Sequence, residues 1–440
     1  MSEAPKPRKK SSVKHTRAIQ RDRSKQPLRE PPPEEIETLL EQLVSPIVYS
    51  QCASYQAMGL RQRILTLPVM VAFVLSLLWR QAGSVTEVVR ELNKRGILWA
   101  QPTIVSQQAV SERLRVLPAE LFRRVLLEVL PQLHARWQVR VRPLNAVVGR
   151  AVAQFGAVWI LDGSALDALL HKVGLLREED GKVLAGRMGC LLNAASWLPE
   201  QVWYEENGMA QDHVFRERAL EQLPPGGLLL FDLGMLDHAW FDAFTEKLRF
   251  FVTRCKSTSV FQVEQVLHAS AHVQDRLIWL GDRKHRCQHR LRLVEVEYQG
   301  RWFRYLTNVL DPQQLSALDV ANLYRQRWRI EDAFLITKSL LGLAFFWVGS
   351  INGVQVQVWM TWLFYALLVD LSDCIADALN RPFEDISIEM VFKGLYHFVQ
   401  EKKLGRASDP VAFLAQEAQF YGILKRRSHS NSPLTPLLDP

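Results

Sequence analysis

The sequence lacks the patterns that place a protein in an oxidising compartment or across a membrane. No C-x-x-C pair occurs, and no apolar segment follows the basic N-terminus, which predicts reduced thiols and no signal peptide. The apolar runs Leu65 to Leu78 and Val354 to Val369 are shorter than the roughly 20 residues of a membrane span. We therefore expect buried core helices, a cytoplasmic protein and no membrane partner. The cysteines are scattered at Cys52, Cys190, Cys255, Cys287 and Cys374.

The positive charge of the chain is concentrated at its N-terminus. The 440 residues carry a formal net charge of +8, and residues 1–30 contain ten Lys or Arg against three acidic residues. Residues 1–34 are also poor in apolar groups, which predicts a disordered basic tail. Such a tail either binds nucleic acid or stays solvated, and composition alone leaves both open.

Residues 35–145 have the periodicity of an all-helical domain. Ser106 is placed to cap a short helix that follows another short helix and a turn, which is typical of a helix-turn-helix that reads DNA. Amphipathic helices with polar outer faces give the same pattern, so this assignment stays open. The candidate DNA-facing residues are Gln107, Gln108, Ser111, Arg113 and Arg115.

From Ala157 the pattern changes to mixed α/β. Residues 150–256 predict a strand, a hairpin, a helix, a strand, a helix and a strand, in that order. Asp162 and Asp232 each follow an apolar strand, where reactive groups of open sheets collect. An aspartate at such a position is often only a turn former. Two of them, followed by the helix that carries Glu331, form an ordered set of three acids that turn formation does not explain. Asp167 competes with Asp162, which we favour because we expect the strand to end there.

One polar stripe follows the predicted helix within residues 317–343. Tyr324, Arg327, Glu331 and Lys338 are spaced so that they return to one helical face. An Arg–Glu pair at i, i+4 commonly stabilises a solvated helix. A carboxylate that binds a divalent metal, flanked by cations that hold phosphates, accounts for all four residues.

Residues 257–310 predict a β-rich insertion with a hairpin turn at Gln299–Gly300. Its basic residues either lie along DNA or protect a strand edge. His285, Cys287 and His289 resemble part of a zinc site, but the sequence offers no evident fourth ligand. The basic residues are Arg283, Lys284, Arg286, Arg290 and Arg292.

Residues 346–425 predict further helices that pack on the core and support dimer contacts, and residues 426–440 form a polar tail. The region between, residues 311–345, contains the helix with the polar stripe.

The spacing Y-x2-R-x3-E-x6-K resembles the signature of DDE transposases of the insertion-sequence-four family. Tyr324, Arg327, Glu331 and Lys338 match it, and the wording RW-x-IE around Glu331 also fits. The resemblance implies an α/β fold with an RNase H-like catalytic core and a β-rich insertion. An all-helical N-terminal domain that binds transposon ends and C-terminal helices would flank this core.

The resemblance also implies the chemistry. Asp162, Asp232 and Glu331 would be the catalytic metal ligands for Mg²⁺, with Mn²⁺ as a substitute. Tyr324, Arg327, Lys338 and Arg254 would bind DNA phosphates. The partner would be double-stranded DNA, both transposon ends and target, bound by a homodimer. Relatives that form a DNA hairpin stack a base on a tryptophan, for which Trp279 and Trp302 are the candidates here.

Two alternatives remain at this stage. One is a metal-dependent nuclease of the same core that does not transfer strands. The other is a DNA-binding protein derived from a transposase that has no catalytic activity. The complete set of three acidic residues argues against the second alternative.

Overall fold

The computed structural model describes residues 36–51, 58, 64–166, 186–208, 210–282, 285–343, 346–347 and 349–425. The predicted basic tail at 1–34 and the tail at 426–440 lie outside these residues. So do Asp167, Arg283 and Lys284, and the predictions made for them are not addressed by the structure.

The N-terminal part of the described chain is built from helices. Gly96 follows the third of them with a φ of 82°, a conformation that glycine adopts without strain. The Ser106 hydroxyl accepts a hydrogen bond from the Ala109 amide at 3.1 Å and caps the fourth, as expected for serine at that position. The helices are α1 (Ile36–Ser50), α2 (Leu67–Trp79), α3 (Val85–Lys94), α4 (Gln107–Val116), α5 (Ala119–Gln138) and α6 (Ala146–Phe155).

Within the described residues, nine strands form one central sheet, which makes the fold mixed α/β. The strands lie in the order β3-β2-β1-β4-β5-β9-β8-β7-β6. β1, β4 and β5 are parallel to one another, and the other neighbouring strands pair antiparallel. The strands are β1 (Val158–Ala165), β2 (Arg187–Asn193), β3 (Pro199–Glu205), β4 (Leu228–Phe231), β5 (Phe250–Arg254), β6 (Phe261–Ala269), β7 (Val273–Leu280), β8 (Leu291–Tyr298) and β9 (Arg301–Thr307).

Helices make the crossovers that parallel strands require. α7 (Arg216–Gln222) precedes β4, and α8 (His238–Glu246) connects β4 to β5. The Asp237 carboxylate accepts from the Trp240 amide at 3.0 Å and caps α8. After β9, α9 (Ala317–Gln326) and α10 (Trp328–Leu335) follow each other with Arg327 between them in helical conformation. These two short helices together form the predicted helix with the polar stripe.

The strand that carries Asp162 is longer than the sequence predicts. β1 does not end at Asp162 but continues to Ala165, because its pairing with β2 continues through Gly163↔Gly189 to Ala165↔Arg187. The expectation that the strand ends at this aspartate is therefore wrong. Asp162 lies within a paired strand, which fixes its backbone on the β2 side.

The strands of residues 257–310 extend the central sheet instead of forming a separate one. β9 pairs with β5 through Val252↔Thr307, and β8, β7 and β6 follow outward. Gln299 and Gly300, at the turn of the β8–β9 hairpin, have φ angles of 52° and 75°. Two positive φ angles are typical of a type I′ turn, which suits the twist of a hairpin.

Arg292 does not lie on a DNA-facing surface, contrary to expectation. Its side chain is fully buried, and its Nε and Nη2 donate to the Asp275 carboxylate at 2.7 and 2.6 Å. Its Nη1 donates to the Leu315 carbonyl oxygen at 2.6 Å. A buried arginine needs such partners for each donor, so Arg292 is a structural residue that joins β8 to β7 and to the loop before α9.

The C-terminal helices are α11 (Ile351–Ala378), α12 (Ile388–Lys403) and α13 (Pro410–Gln416). Within the described residues, α11 alone has the length and composition of a membrane span. However, 94% of its most apolar window is buried inside the protein. The Tyr365 hydroxyl donates to the Trp197 carbonyl oxygen at 3.2 Å, which joins α11 to the turn between β2 and β3.

Buried ion pairs connect the N-terminal helices to α11. Arg140, after the end of α5, donates to Asp373 at 2.6 Å and also pairs with Asp370. Arg142 pairs with Asp373 as well, and both aspartates are almost inaccessible to solvent. The Asn352 side chain donates to the Leu114 and Leu117 carbonyl oxygens at 3.0 and 2.8 Å. We call these contacts the α11 clamp.

Candidate active site

The parallel pairing of β1 with β4 brings two acidic residues to the same level. Leu161 is in register with Phe231, and Asp162 and Asp232 are the next residues on the two chains. Asp232 follows the end of β4 in extended conformation, while Asp162 is still paired with β2. The sheet thus places two carboxylates side by side, one mostly covered and one half-exposed.

The helical segment supplies the third acidic residue. Ser316 caps α9 by accepting from the Asp319 amide at 3.1 Å, and Val320, Leu323 and Ile330 are buried against the core. Because these apolar side chains fix the rotation of the segment, the opposite stripe faces the ends of β1 and β4. Glu331 reaches the site from this stripe.

The guanidinium of Arg327 contacts all three carboxylates. Its Nη1 donates to Asp162 Oδ2 at 2.8 Å, and its Nη2 donates to Glu331 Oε1 at 2.9 Å. Its Nε lies 3.9 Å from Asp232 Oδ1. Arg327 is only 6% exposed, so these charges interact with little screening by water. We call these four residues the Arg327 cluster.

Tyr324 belongs to the site through Asp232. Its hydroxyl donates to Asp232 Oδ1 at 3.1 Å, and the ring is buried against Tyr305. Burial raises the pKa of this phenol, and the Asp232 charge raises it further, while Arg327 and Arg254 oppose the shift. The group therefore stays protonated and acts as a hydrogen-bond donor to the acid.

Lys338 lies at the far end of the stripe, where the helix widens into a π turn at Ile336–Leu340. Its Nζ donates to Ser164 Oγ at 2.5 Å and to the Ala165 carbonyl oxygen at 2.6 Å. These contacts place its charge against the strand that carries Asp162, two residues beyond the carboxylate.

Arg254 lies beside the Arg327 cluster. It ends β5, and its guanidinium carbon is 5.6 Å from the centre of the Phe303 ring. Arg254 pairs in register with Tyr305, whose ring centre lies 5.4 Å from that of Tyr324, and its charge lowers the pKa of the Tyr324 phenol. The structure thus brings Asp162, Asp232, Glu331, Tyr324 and Arg327 together, and it places Lys338 and Arg254 at the edges.

The surroundings of Asp162 raise its pKa above the ordinary value of an aspartate. Burial raises its pKa to about 6, and the charges of Asp212 and Asp232 act in the same direction. The Arg327 charge and a hydrogen bond from the Gly163 amide, at 2.8 Å, oppose the shift. Such a pKa is common at functional sites but also occurs in structural ion pairs.

The sequence analysis assigned no role at the site to Asp212, and it noted Trp328 only as part of the RW-x-IE wording. The Asp212 carboxylate accepts from Arg187 Nε at 2.6 Å and lies against Gly163. Trp328 is 58% exposed, and its ring centre is 5.2 Å from the Arg327 guanidinium carbon. The tryptophan is visible in the sequence because it follows Arg327 directly. The position of Asp212 beside Gly163 depends on a tertiary contact, which no pattern of neighbouring residues indicates.

The zinc hypothesis receives no support. Across the described ranges, no group of three or more His, Cys, Asp or Glu residues is placed to hold a metal ion. Cys287 is buried near the carbonyl oxygen of His238, while His285 and His289 are partly or fully exposed. Asp162, Asp232 and Glu331 are likewise not arranged around an empty metal position, because they surround the Arg327 guanidinium in this structure.

The other predicted DNA contacts have varied surroundings. Gln107 and Gln108 are exposed on α4, whereas Arg113 donates to the Leu65 carbonyl oxygen at 2.9 Å. Trp302 is exposed on β9, while Trp279 is partly covered by Arg286, whose guanidinium carbon is 4.1 Å from the ring centre. Exposure therefore favours Trp302 over Trp279 as a surface that a base can reach.

Comparison with known proteins points to transposases. Residues 201–367 match the family described as Transposase DDE domain, a range that includes Asp232 and Glu331 but not Asp162. The chain is 27% identical over 232 residues to the putative transposase y4zB of Sinorhizobium fredii, covering 49% of this chain and 62% of that protein. It is 29% identical over 197 residues to a probable transposase for insertion sequence element IS5377 of Geobacillus stearothermophilus, covering 42% and 50%.

The chain thus spans less than two thirds of the length of either relative. These similarities support the predictions of a transposase and of a DDE domain in the central part of the chain. They do not distinguish the insertion-sequence-four family from other transposases that have this domain.

Proposed function

We propose that this chain is a DDE transposase of the insertion-sequence-four type, which binds the ends of a mobile element, cuts them and joins them to target DNA. The observation that carries the proposal is the convergence of Asp162, Asp232 and Glu331 on the Arg327 guanidinium. These acids are far apart in sequence and come from three different elements. A solvated helix explains only the Arg327–Glu331 pair.

The sheet supports an RNase H-like core within this proposal. The strand order β3-β2-β1-β4-β5, with β1, β4 and β5 parallel, gives a mixed sheet with two acidic residues at neighbouring strands. The strands β6 to β9 would be the insertion that precedes the catalytic helix.

The donor set fits a hard divalent cation. Carboxylate oxygens are the ligands that Mg²⁺ and Mn²⁺ prefer, and the three carboxylates already turn towards one positive charge. Asp162, Asp232 and Glu331 would hold the metal. When bound, paired metals of this kind activate water or a 3′ hydroxyl and stabilise the leaving oxygen of a phosphodiester.

The residues around the acids would position the DNA. Lys338 presents its charge beside the strand of Asp162. Exposed Arg254, at the end of β5, pairs in register with Tyr305, whose ring contacts that of Tyr324. Both would contact phosphates near the cut, and Arg327 would join them. Tyr324 would act mainly through Asp232, to which its hydroxyl donates. By resemblance, the complex with transposon ends would be a homodimer.

The test is incubation of the purified protein with Mg²⁺ and duplexes that carry the genomic sequences flanking its coding region. Transposition predicts cleavage at the ends and joined products with a second, target duplex. A nuclease without strand transfer would give cut ends but no joined products. A DNA-binding protein without catalytic activity would shift the duplexes in a gel without cutting them. For Asp→Asn variants of the three acids, the matched control is Asp311→Asn, at an exposed position before α9.

A further inference from the structure

The Arg327 guanidinium occupies the space that a cation shared by the acids would need. Its two terminal nitrogens each bond to a different carboxylate, Asp162 on one side and Glu331 on the other. A metal bound by both carboxylates has to lie between them, within about 2.0–2.1 Å of their oxygens for Mg²⁺. The two cations cannot share this space.

The environment of Arg327 differs from that of a purely structural buried arginine. Arg292 satisfies its donors with both oxygens of one carboxylate and with backbone oxygens. Arg327 Nε is buried without a hydrogen-bond partner within the described residues, as is Nη2 of Arg142 in the α11 clamp, so the difference from Arg292 lies in the carboxylates. Arg327 divides its contacts among three carboxylates, two of which are half-exposed.

The cluster also has an excess of negative charge. Three carboxylates surround one guanidinium, and without it they would repel one another across a poorly screened space. A positive charge at this position therefore keeps the acids together. A divalent metal supplies twice the charge of a guanidinium and has the same preference for carboxylate oxygens.

We propose that Arg327 is the resident counter-cation of the metal-free site and leaves the space between Asp162 and Glu331 when a divalent metal enters. The exposed Trp328 ring already lies 5.2 Å from the Arg327 guanidinium carbon, and this cation–π contact would be kept as the guanidinium turns away from the carboxylates. Once released from the carboxylates, its N–H groups are free to bind a DNA phosphate as a planar fork. This inference rests on the proposed metal site and adds competition between the two cations.

The test uses the full chain without DNA, with Mg²⁺ or Mn²⁺ as the titrant. Arg327→Met removes the charge and keeps much of the side-chain length. It should bind the metal at least about tenfold more tightly than wild type in calorimetry, because no charge-assisted pair has to be broken first. Without metal, the variant should melt below wild type, and added metal should raise its melting temperature more than it raises that of wild type.

Arg329→Met is the matched control, at a position two residues further along the same helical segment. Its guanidinium carbon lies 4.8 Å from the Trp197 ring centre, and its side chain contacts Gln326 and Asp332. This variant should leave metal affinity unchanged. If Arg327→Met does not fold, Arg327→Lys provides the test, because an ammonium group cannot bond two separated carboxylates as a fork does. It should bind metal more tightly than wild type.

The outcomes separate the two proposals. Equal or weaker metal binding by both Arg327 variants, with clear binding by wild type, would overturn the counter-cation and leave the proposed function intact. If neither wild type nor any variant binds either metal, both proposals fail. Tighter binding by the Arg327 variants that is lost in Arg327→Met/Asp162→Asn would support both.

Discussion

The Asp212 carboxylate fills the space in which a side chain at position 163 would lie, so only glycine fits there. A Cβ atom on Gly163 would be 1.8 Å from Asp212 Oδ1, far inside van der Waals contact. The Gly163 amide donates to Asp162 Oδ1 at 2.8 Å, and Asp212 is itself held by Arg187 from β2. Glycine at this position thus lets a fourth carboxylate pack against the strand beside the Arg327 cluster.

The first prediction concerns this contact. Gly163→Ala should displace the Asp212 carboxylate, break its pair with Arg187 and lower the free energy of unfolding by about 1–3 kcal/mol. In an Asp212→Ala background the same substitution should cost clearly less, because the clash has been removed. Urea unfolding of the four proteins measures this coupling. Strictly additive losses would show that the two residues do not meet.

Asp232→Asn should abolish cleavage and leave DNA binding nearly unchanged. The substitution removes a charge that the metal needs and keeps the size of the side chain. We expect end cleavage in Mg²⁺ to fall at least about a thousandfold, or ~4 kcal/mol of transition-state stabilisation. Gel shifts with uncut ends are the measurement of binding. A normal cleavage rate would remove Asp232 from the site.

Tyr324→Phe should act through Asp232. Loss of the 3.1 Å hydrogen bond should lower the free energy of unfolding by about 0.5–1.5 kcal/mol and weaken metal binding. In an Asp232→Asn background, Tyr324→Phe should not weaken metal binding further. If instead it reduced the gel shift equally in both backgrounds, the phenol would be a phosphate contact independent of the acid.

The raised pKa of Asp162 predicts a pH dependence of stability. Its pKa is about 6 in the folded protein and close to 4 in an unfolded chain, so the folded state holds an extra proton between these values. The stability that this proton contributes is present at low pH and lost as pH rises through about 6. Asp162→Asn should therefore gain stability relative to wild type, on the order of 2 kcal/mol, between about pH 4 and pH 7.

The same urea measurements on Glu217→Gln provide the control for that prediction. Glu217 is exposed on α7, and its substitution removes one carboxylate from the surface instead of from the site, so the comparison isolates the pH dependence that is specific to Asp162. A decrease in the relative stability of Asp162→Asn as pH rises would mean that the Arg327 pairing outweighs burial at Asp162.

Local geometry made part of this site predictable. The stripe of Tyr324, Arg327 and Glu331 depends only on helical spacing, and the structure places these side chains on one face. The short apolar run before Asp232 is likewise a local signal, and β4 ends at Phe231 as expected. The polar stripe and the apolar run are both determined by residues that are close to one another in the sequence.

The remaining features depend on partners that are distant in sequence. β1 runs past Asp162 because β2 pairs with it, and a strand boundary set by pairing is not visible in one strand alone. Arg292 is buried because Asp275 on the neighbouring strand accepts its donors. The site was predicted as three acids around metal, whereas the central position of Arg327 follows only from the assembled fold.

The α11 clamp has a geometric consequence for the proposed function. Arg140 and Arg142 hold the end of α5 to α11, and Asn352 holds the end of α4 to the start of the same helix. The same helix is also bonded, through Tyr365, to the turn between β2 and β3. Among the described residues, α11 thus connects α4 and α5 to this turn of the sheet. If α4 binds a DNA sequence, the connection through α11 fixes the distance between that sequence and the cleavage site. The length of α11 then sets this distance.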